Sequence, residues 1–145
     1  IGTIDTEYTK SAYGFIGEKG TIQLDGLKLN VKTPFATIAI SSLTDKPIKE
    51  SSKMLLTAVG RAENTGFKYN ILHTKMLNRG TGPILVEPIE AQIELKNNIP
   101  NLSVFAIGPN GDKIKQIRSE KADGYLRFNI GRDAGTIYYL IEANK

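Results

Sequence analysis

Cysteine is absent from this chain, which removes thiol nucleophiles, Cys-ligated zinc or iron–sulfur sites and disulfide scaffolds together. It has one histidine, His73. A single imidazole does not readily make a His-based metal site or a Ser-His-Asp triad, and no nucleophile or second ligand stands at a recognisable spacing, so His73 is assigned no role. Tryptophan is absent too, so the broadest flat aromatic surface available to a protein is missing. No apolar run approaches the roughly 18–20 residues needed to cross a bilayer. Ile1 to Lys10 show neither the basic start nor the apolar segment of a signal peptide. A chain that opens at Ile1 rather than Met reads as an excised piece, with any export signal upstream.

The 145 residues suit one domain, residues 1–145, able to bury roughly 70% of the surface of its unfolded chain without metal or disulfide support. With 40% hydrophobic and 23% charged residues, the composition is that of a globular domain and excludes disordered and fibrous classes. Nineteen Lys and Arg against fifteen Asp and Glu leave only a mild excess of +4. The basic residues are scattered from Lys10 to Lys145 without a stripe, so neither nucleic acid nor a membrane is the expected partner.

Apolar residues recur at every second position, the signature of strands with one buried face. Ile89, Ala91, Ile93 and Leu95 oppose Glu90, Gln92, Glu94 and Lys96. Leu27, Leu29 and Val31 alternate with Lys28, Asn30 and Lys32, and Leu126, Phe128 and Ile130 with Arg127 and Asn129. Residues 137–143 are apolar on both sides, which predicts a central strand, and Phe35–Ser41 and Met54–Val59 read as buried strands. Asp25-Gly26, Asn110-Gly111 and Asp123-Gly124 supply the positive φ that tight hairpin turns need. Pro47, Pro83, Pro88, Pro100 and Pro109 fall at strand borders, where a missing N–H breaks no ladder. About ten short strands with turns every 8 to 12 residues predict an all-β fold, an antiparallel two-sheet sandwich of jelly-roll-like or immunoglobulin-like arrangement.

Glycoside hydrolysis needs two carboxylates about 5–10 Å apart. Glu90 and Glu94 belong to a solvated strand face, while Glu63 and Glu87 are better read as partners for Arg61, whose guanidinium matches a carboxylate bidentately. Gly80-Thr81-Gly82-Pro83 lacks the Lys-Ser or Lys-Thr and the helix of a phosphate loop. Asn110-Gly111-Asp112 with Asp133 offers oxygen donors of the kind a structural calcium ion takes, but an ordinary turn accounts for the first three, and no cofactor is expected. The chain is not expected to be an enzyme by itself. Among six Tyr and five Phe, Tyr8, Tyr13, Tyr69 and Tyr125 fall at strand ends or loops. Partial core burial is the commoner fate of such residues, and service as a sugar platform is the functional alternative. Tyr69 and Asn70, near Arg61, Glu63 and Asn64, form the most ligand-like group, with Tyr13 and Tyr125 as further candidate carbohydrate contacts.

The run Met54-Leu55-Leu56-Thr57-Ala58-Val59-Gly60-Arg61-Ala62-Glu63-Asn64-Thr65-Gly66, then Tyr69-Asn70, then Gly82-Pro83-Ile84-Leu85-Val86-Glu87-Pro88-Ile89-Glu90, resembles the accessory β-sandwich that follows the catalytic TIM barrel in certain bacterial polysaccharide-degrading glycoside hydrolases. Ile4-Asp5-Thr6, Phe35-Ala36-Thr37-Ile38 and Val104-Phe105-Ala106-Ile107 fit the same pattern. The resemblance implies a noncatalytic, carbohydrate-binding-module-like part of a secreted plant-polysaccharide hydrolase, such as one of a cellulose-degrading set, with the acid and nucleophile in the barrel. The lack of Trp departs from the planar surfaces that hold crystalline cellulose and leaves soluble or single-chain glycans open as ligands. The alternative is a purely structural domain that packs on the catalytic barrel and stabilises it without binding glycan.

Overall fold

The computed structural model describes residues 1–60, 89–131 and 136–144. Twelve strands lie among them: β1 (Gly2–Asp5), β2 (Thr9–Gly14), β3 (Thr21–Leu24), β4 (Leu27–Val31), β5 (Ala36–Ser42), β6 (Lys53–Val59), β7 (Ala91–Lys96), β8 (Leu102–Ile107), β9 (Lys113–Ile117), β10 (Ser119–Ala122), β11 (Tyr125–Ile130) and β12 (Tyr138–Ala143). All pair antiparallel, in a seven-stranded sheet of order β1-β2-β5-β6-β12-β8-β9 and a five-stranded sheet of order β10-β11-β7-β4-β3. The protein is therefore an antiparallel two-sheet β-sandwich. No helix among the described residues is long and apolar enough to cross a membrane.

Period-two patterning builds the core. Ile38, Ile40, Met54, Leu56, Val104 and Ile141 point inward from the larger sheet, and Leu27, Leu29, Ile93, Leu95, Leu126 and Phe128 from the smaller; all belong to one buried cluster. Each such side chain contributes about 1.5–3 kcal/mol by leaving water. The strand expected to be central is so: β12 lies between β6 and β8, with Tyr139, Leu140 and Ile141 buried on both of its faces. The Asp123-Gly124 hairpin joins β10 to β11 with positive φ at both residues, 55° and 84°, the type I′ geometry whose twist matches the flanking strands.

Three strands exceed the pattern expected from sequence: β1, β2 and β10. In β2 the inward positions are Lys10 and Ala12, both buried, so no run of large apolar residues marks the strand. Lys10 is tolerated there because its Nζ donates to Asp5 Oδ1 at 2.5 Å. Asp5 Oδ2 in turn accepts the Asp25 N–H of the β3–β4 turn at 2.9 Å, so one carboxylate ties the larger sheet to a hairpin of the smaller. The Asp25 N–H first, and Lys10 second, hold the Asp5 carboxyl below its usual pKa. On the same end of the sandwich, buried Asn97 donates to Ile48 O at 2.7 Å and Ser51 O at 3.0 Å, which pins the β5–β6 connection to the end of β7 and satisfies carbonyls that burial would otherwise orphan.

Candidate functional site: the polar face of the five-stranded sheet

Leu126, Phe128, Ile93, Leu95, Leu27 and Leu29 are committed to the core, so strand alternation turns their neighbours outward. Register then decides which of these neighbours meet. Across β3, β4, β7 and β11, Thr21, Asn30, Gln92 and Asn129 stand in one row. One step along the strands, Gln23, Lys28, Glu94, Arg127 and Glu120 form a second row, and Lys96 pairs with Tyr125 in a third. Neighbouring strands lie about 4.8 Å apart, so the three amides of Asn30, Gln92 and Asn129 span about 10 Å. Their side chains make no hydrogen bond to protein among the described residues, whereas the buried amide of Asn97 is fully engaged with Ile48 O, Ser51 O and the Ile99 N–H.

The electrostatics of this face are balanced. Charges alternate in sign along the second row, and Arg127 Nη2 lies 3.3 Å from Glu94 Oε1. Such a pair at the surface contributes about 0–1 kcal/mol, but it fixes two long side chains beside the amide row. Each amide offers two donors and an acceptor, the complement of a vicinal diol. Tyr125, half-buried at the start of β11, adds an aromatic ring at the border.

The residues expected from sequence are not gathered in one place. Tyr125 belongs to this face. Tyr13 is 45% exposed but sits on β2, opposite Gly2 and Thr37, and alternates with core residue Ala12. It therefore lies on the outer face of the seven-stranded sheet, on the other side of the sandwich from Tyr125. Its ring is laid across Gly2, where an added Cβ would fall 2.1 Å from the ring. Tyr8 is likewise at the surface, its hydroxyl donating to Asp45 O at 3.1 Å. Arg61, Glu63, Asn64, Tyr69 and Asn70, together with Glu87, His73 and the Gly80–Pro83 run, lie outside the described residues. Glu94 is on the solvated face expected of it. Asn110-Gly111-Asp112 makes the β8–β9 turn, with Gly111 at φ 89° and Gly108 N–H donating to Asp112 O at 2.9 Å. Asp133 lies outside the described residues, and among those described no three His, Cys, Asp or Glu residues stand together to hold a metal ion.

Sequence reasoning missed Asn30, Gln92 and Asn129 as a group. Each was visible as the polar partner in an alternating strand, but Asn30 and Gln92 are far apart in the chain, and only strand order makes them neighbours. Fold and surface together define a class: a β-sandwich with one open, polar and nearly neutral sheet face. No family model, curated protein or solved structure matches the chain.

Proposed function

We propose that the protein is a noncatalytic carbohydrate-binding module of a secreted polysaccharide-degrading glycoside hydrolase, and that it holds a soluble, single-chain plant glycan on the outer face of the five-stranded sheet. The observation that supports this most is the row Asn30, Gln92 and Asn129, amides in register across three strands and without a side-chain hydrogen bond to protein among the described residues. Amide groups exchange water for sugar hydroxyls with little desolvation cost, and their positions on paired strands are fixed before binding, which reduces the entropy lost on association. Alternating charges in the neighbouring row suit a neutral chain better than a polyanion. Tyr125 would meet the apolar C–H side of one sugar ring. The role of such a module is to keep the catalytic domain of the same parent chain close to its substrate, raising effective concentration without any new chemistry.

Calorimetry and affinity electrophoresis of the chain against xylan, mannan, mixed-linkage β-glucan and cellulose oligosaccharides test this. The expected result is binding of at least one, weakened about tenfold in Gln92→Ala/Asn129→Ala, consistent with loss of roughly one to two hydrogen bonds. Flat responses to every glycan would sink the proposal and leave the purely structural role beside a catalytic barrel.

A further inference from the structure

Three turns place glycine directly after an acid or its amide: Asp25-Gly26, Asn110-Gly111 and Asp123-Gly124. Each glycine takes a positive φ, 79°, 89° and 84° in turn, the conformation for which glycine is used in tight turns. The missing Cβ also leaves the glycine nitrogen uncrowded beside the side-chain carbonyl that precedes it. At neutral pH the amide carbon of asparagine accepts attack by such a nitrogen, whereas the carbon of an ionised carboxylate resists it. Asp25 is in addition engaged by Lys49, whose Nζ lies 3.2 Å from Oδ2. No other asparagine in the chain precedes glycine.

The surroundings single out the same residue. Residues 109–116 are all exposed, and a Cβ built on Gly111 would meet no atom within 4 Å, so the nitrogen is approached from open space. Gly111 N–H donates to Gly108 O at 2.9 Å, an exposed bond at a loop tip, of the kind that opens most readily. Other asparagines are held differently. The Ile99 N–H, the nucleophile that Asn98 would need, donates to Asn97 Oδ1 at 2.7 Å. Asn30 and Asn129 precede Val31 and Ile130 in paired strands, where a branched Cβ crowds the nitrogen. Asn101 donates its amide to Asn144 O at 2.8 Å.

We infer that Asn110 is a site of spontaneous deamidation, and that the change unties the β8–β9 turn. Gly111 N gives up its proton and attacks Cγ of Asn110; a C–N bond forms, the side-chain amide takes up a proton and leaves as ammonia, and a cyclic imide remains. Water opens the ring at either carbonyl and leaves aspartate or isoaspartate, so one water is consumed, one ammonia released, and nothing is oxidised or reduced. Either product carries a new negative charge. Isoaspartate also adds a methylene to the main chain. Gly108 closes this turn through two bonds, accepting from Gly111 and donating to Asp112 O at 2.9 Å, and the β8–β9 register already shifts between Ala106 and Ile107. A lengthened main chain cannot keep both bonds. Strand β9 stands last in its sheet order, beside β8, so its pairing is what loosens. The five-stranded sheet is untouched, and the inference holds whether or not that sheet binds glycan.

Ageing the chain in mildly alkaline buffer, followed by isoelectric focusing and fragment-resolved peptide mapping, tests this. An acidic form should accumulate with time, carrying aspartate and isoaspartate at position 110 before any other asparagine reacts. Asn110→Ser removes the amide, keeps a turn-forming residue and should delay the acidic form. In the separated isoaspartate form, amide hydrogen exchange should quicken at Gly108, Gly111 and along β9 while β4, β7 and β11 hold. A chain whose charge stays constant, an acidic form that maps first to another asparagine, or one that appears as fast in Asn110→Ser overturns the inference. Unchanged exchange along β9 in the isoaspartate form overturns the untying of the turn.

Discussion

The outer surfaces of the two sheets obey the same alternation and differ in chemistry. Outward positions of β4, β7 and β11 are Lys28, Asn30, Gln92, Glu94, Lys96, Tyr125, Arg127 and Asn129, polar or amphipathic throughout. Outward positions of β6, β8 and β12 mix Leu55, Val59 and Phe105 and the buried Ile107 and Leu140 with Lys53, Thr57, Ser103, Tyr138 and Glu142. The edge of that larger sheet adds exposed Ile4, Tyr13 and Phe15. A sandwich requires only its inner faces to be apolar, so each outer face is free to record what it meets. On the proposed reading, the five-stranded face exchanges water for sugar hydroxyls.

The largest effect expected is one that erases the distinction. Phe128 is buried in the shared core, and Phe128→Ala should cost about 3–5 kcal/mol, seen as a large fall in the denaturant midpoint, with glycan binding lost as well. A perturbation confined to one end follows. Asp5→Asn leaves the buried Lys10 ammonium facing a neutral amide and should cost about 1–3 kcal/mol. The pH dependence has a defined sign. The Asp5 carboxyl is held below its usual value of 3.8 by the Asp25 N–H and by Lys10, so its contribution is present above that value and is lost as pH falls through the lower folded-state pKa. Urea midpoints between pH 2 and pH 6 should therefore decline more steeply on the acid side in the parent than in Asp5→Asn; identical slopes would mean that the tie between β1 and the β3–β4 turn adds nothing.

Smaller effects separate the faces. Gln92→Ala/Asn129→Ala should weaken glycan binding about tenfold while the melting temperature holds, because these amides touch water and not the core. Smallest is Arg127→Ala, which removes the half-exposed pair with Glu94 and should shift stability by no more than about 1 kcal/mol, with a larger drop in midpoint contradicting the picture of a solvated ladder.

Much of this architecture was legible in advance where inward positions are large and apolar. Leu27–Val31, Ile89–Lys96 and Tyr125–Ile130 announce strands because period two needs no knowledge of partners; β7 begins only at Ala91, since the two residues before it lead in from the connection. Strands β1, β2 and β10 were not legible. Gly2 and Thr3 give no pattern, Lys10 fills an inward place on the strength of a distant Asp5, and Ser119–Ala122 is an edge with little to bury. For the candidate site, alternation alone puts Tyr125 and Glu94 on a solvated face, but Tyr13, expected beside Tyr125, lies on the opposite side of the sandwich. The amide row was hidden for a physical reason: it exists only after β4, β7 and β11 pair, and no local property of Asn30 encodes the proximity of Gln92.

The division of labour between faces is tested most directly by titrating the isotope-labelled chain with the tightest-binding glycan of the panel and following each backbone amide by nuclear magnetic resonance. Shifts concentrated on β4, β7 and β11, around Asn30, Gln92 and Asn129, with β1, β2 and β5 silent, are what the account predicts. Shifts centred on Tyr13 and the β1–β2 edge, with the five-stranded sheet unmoved, would contradict it.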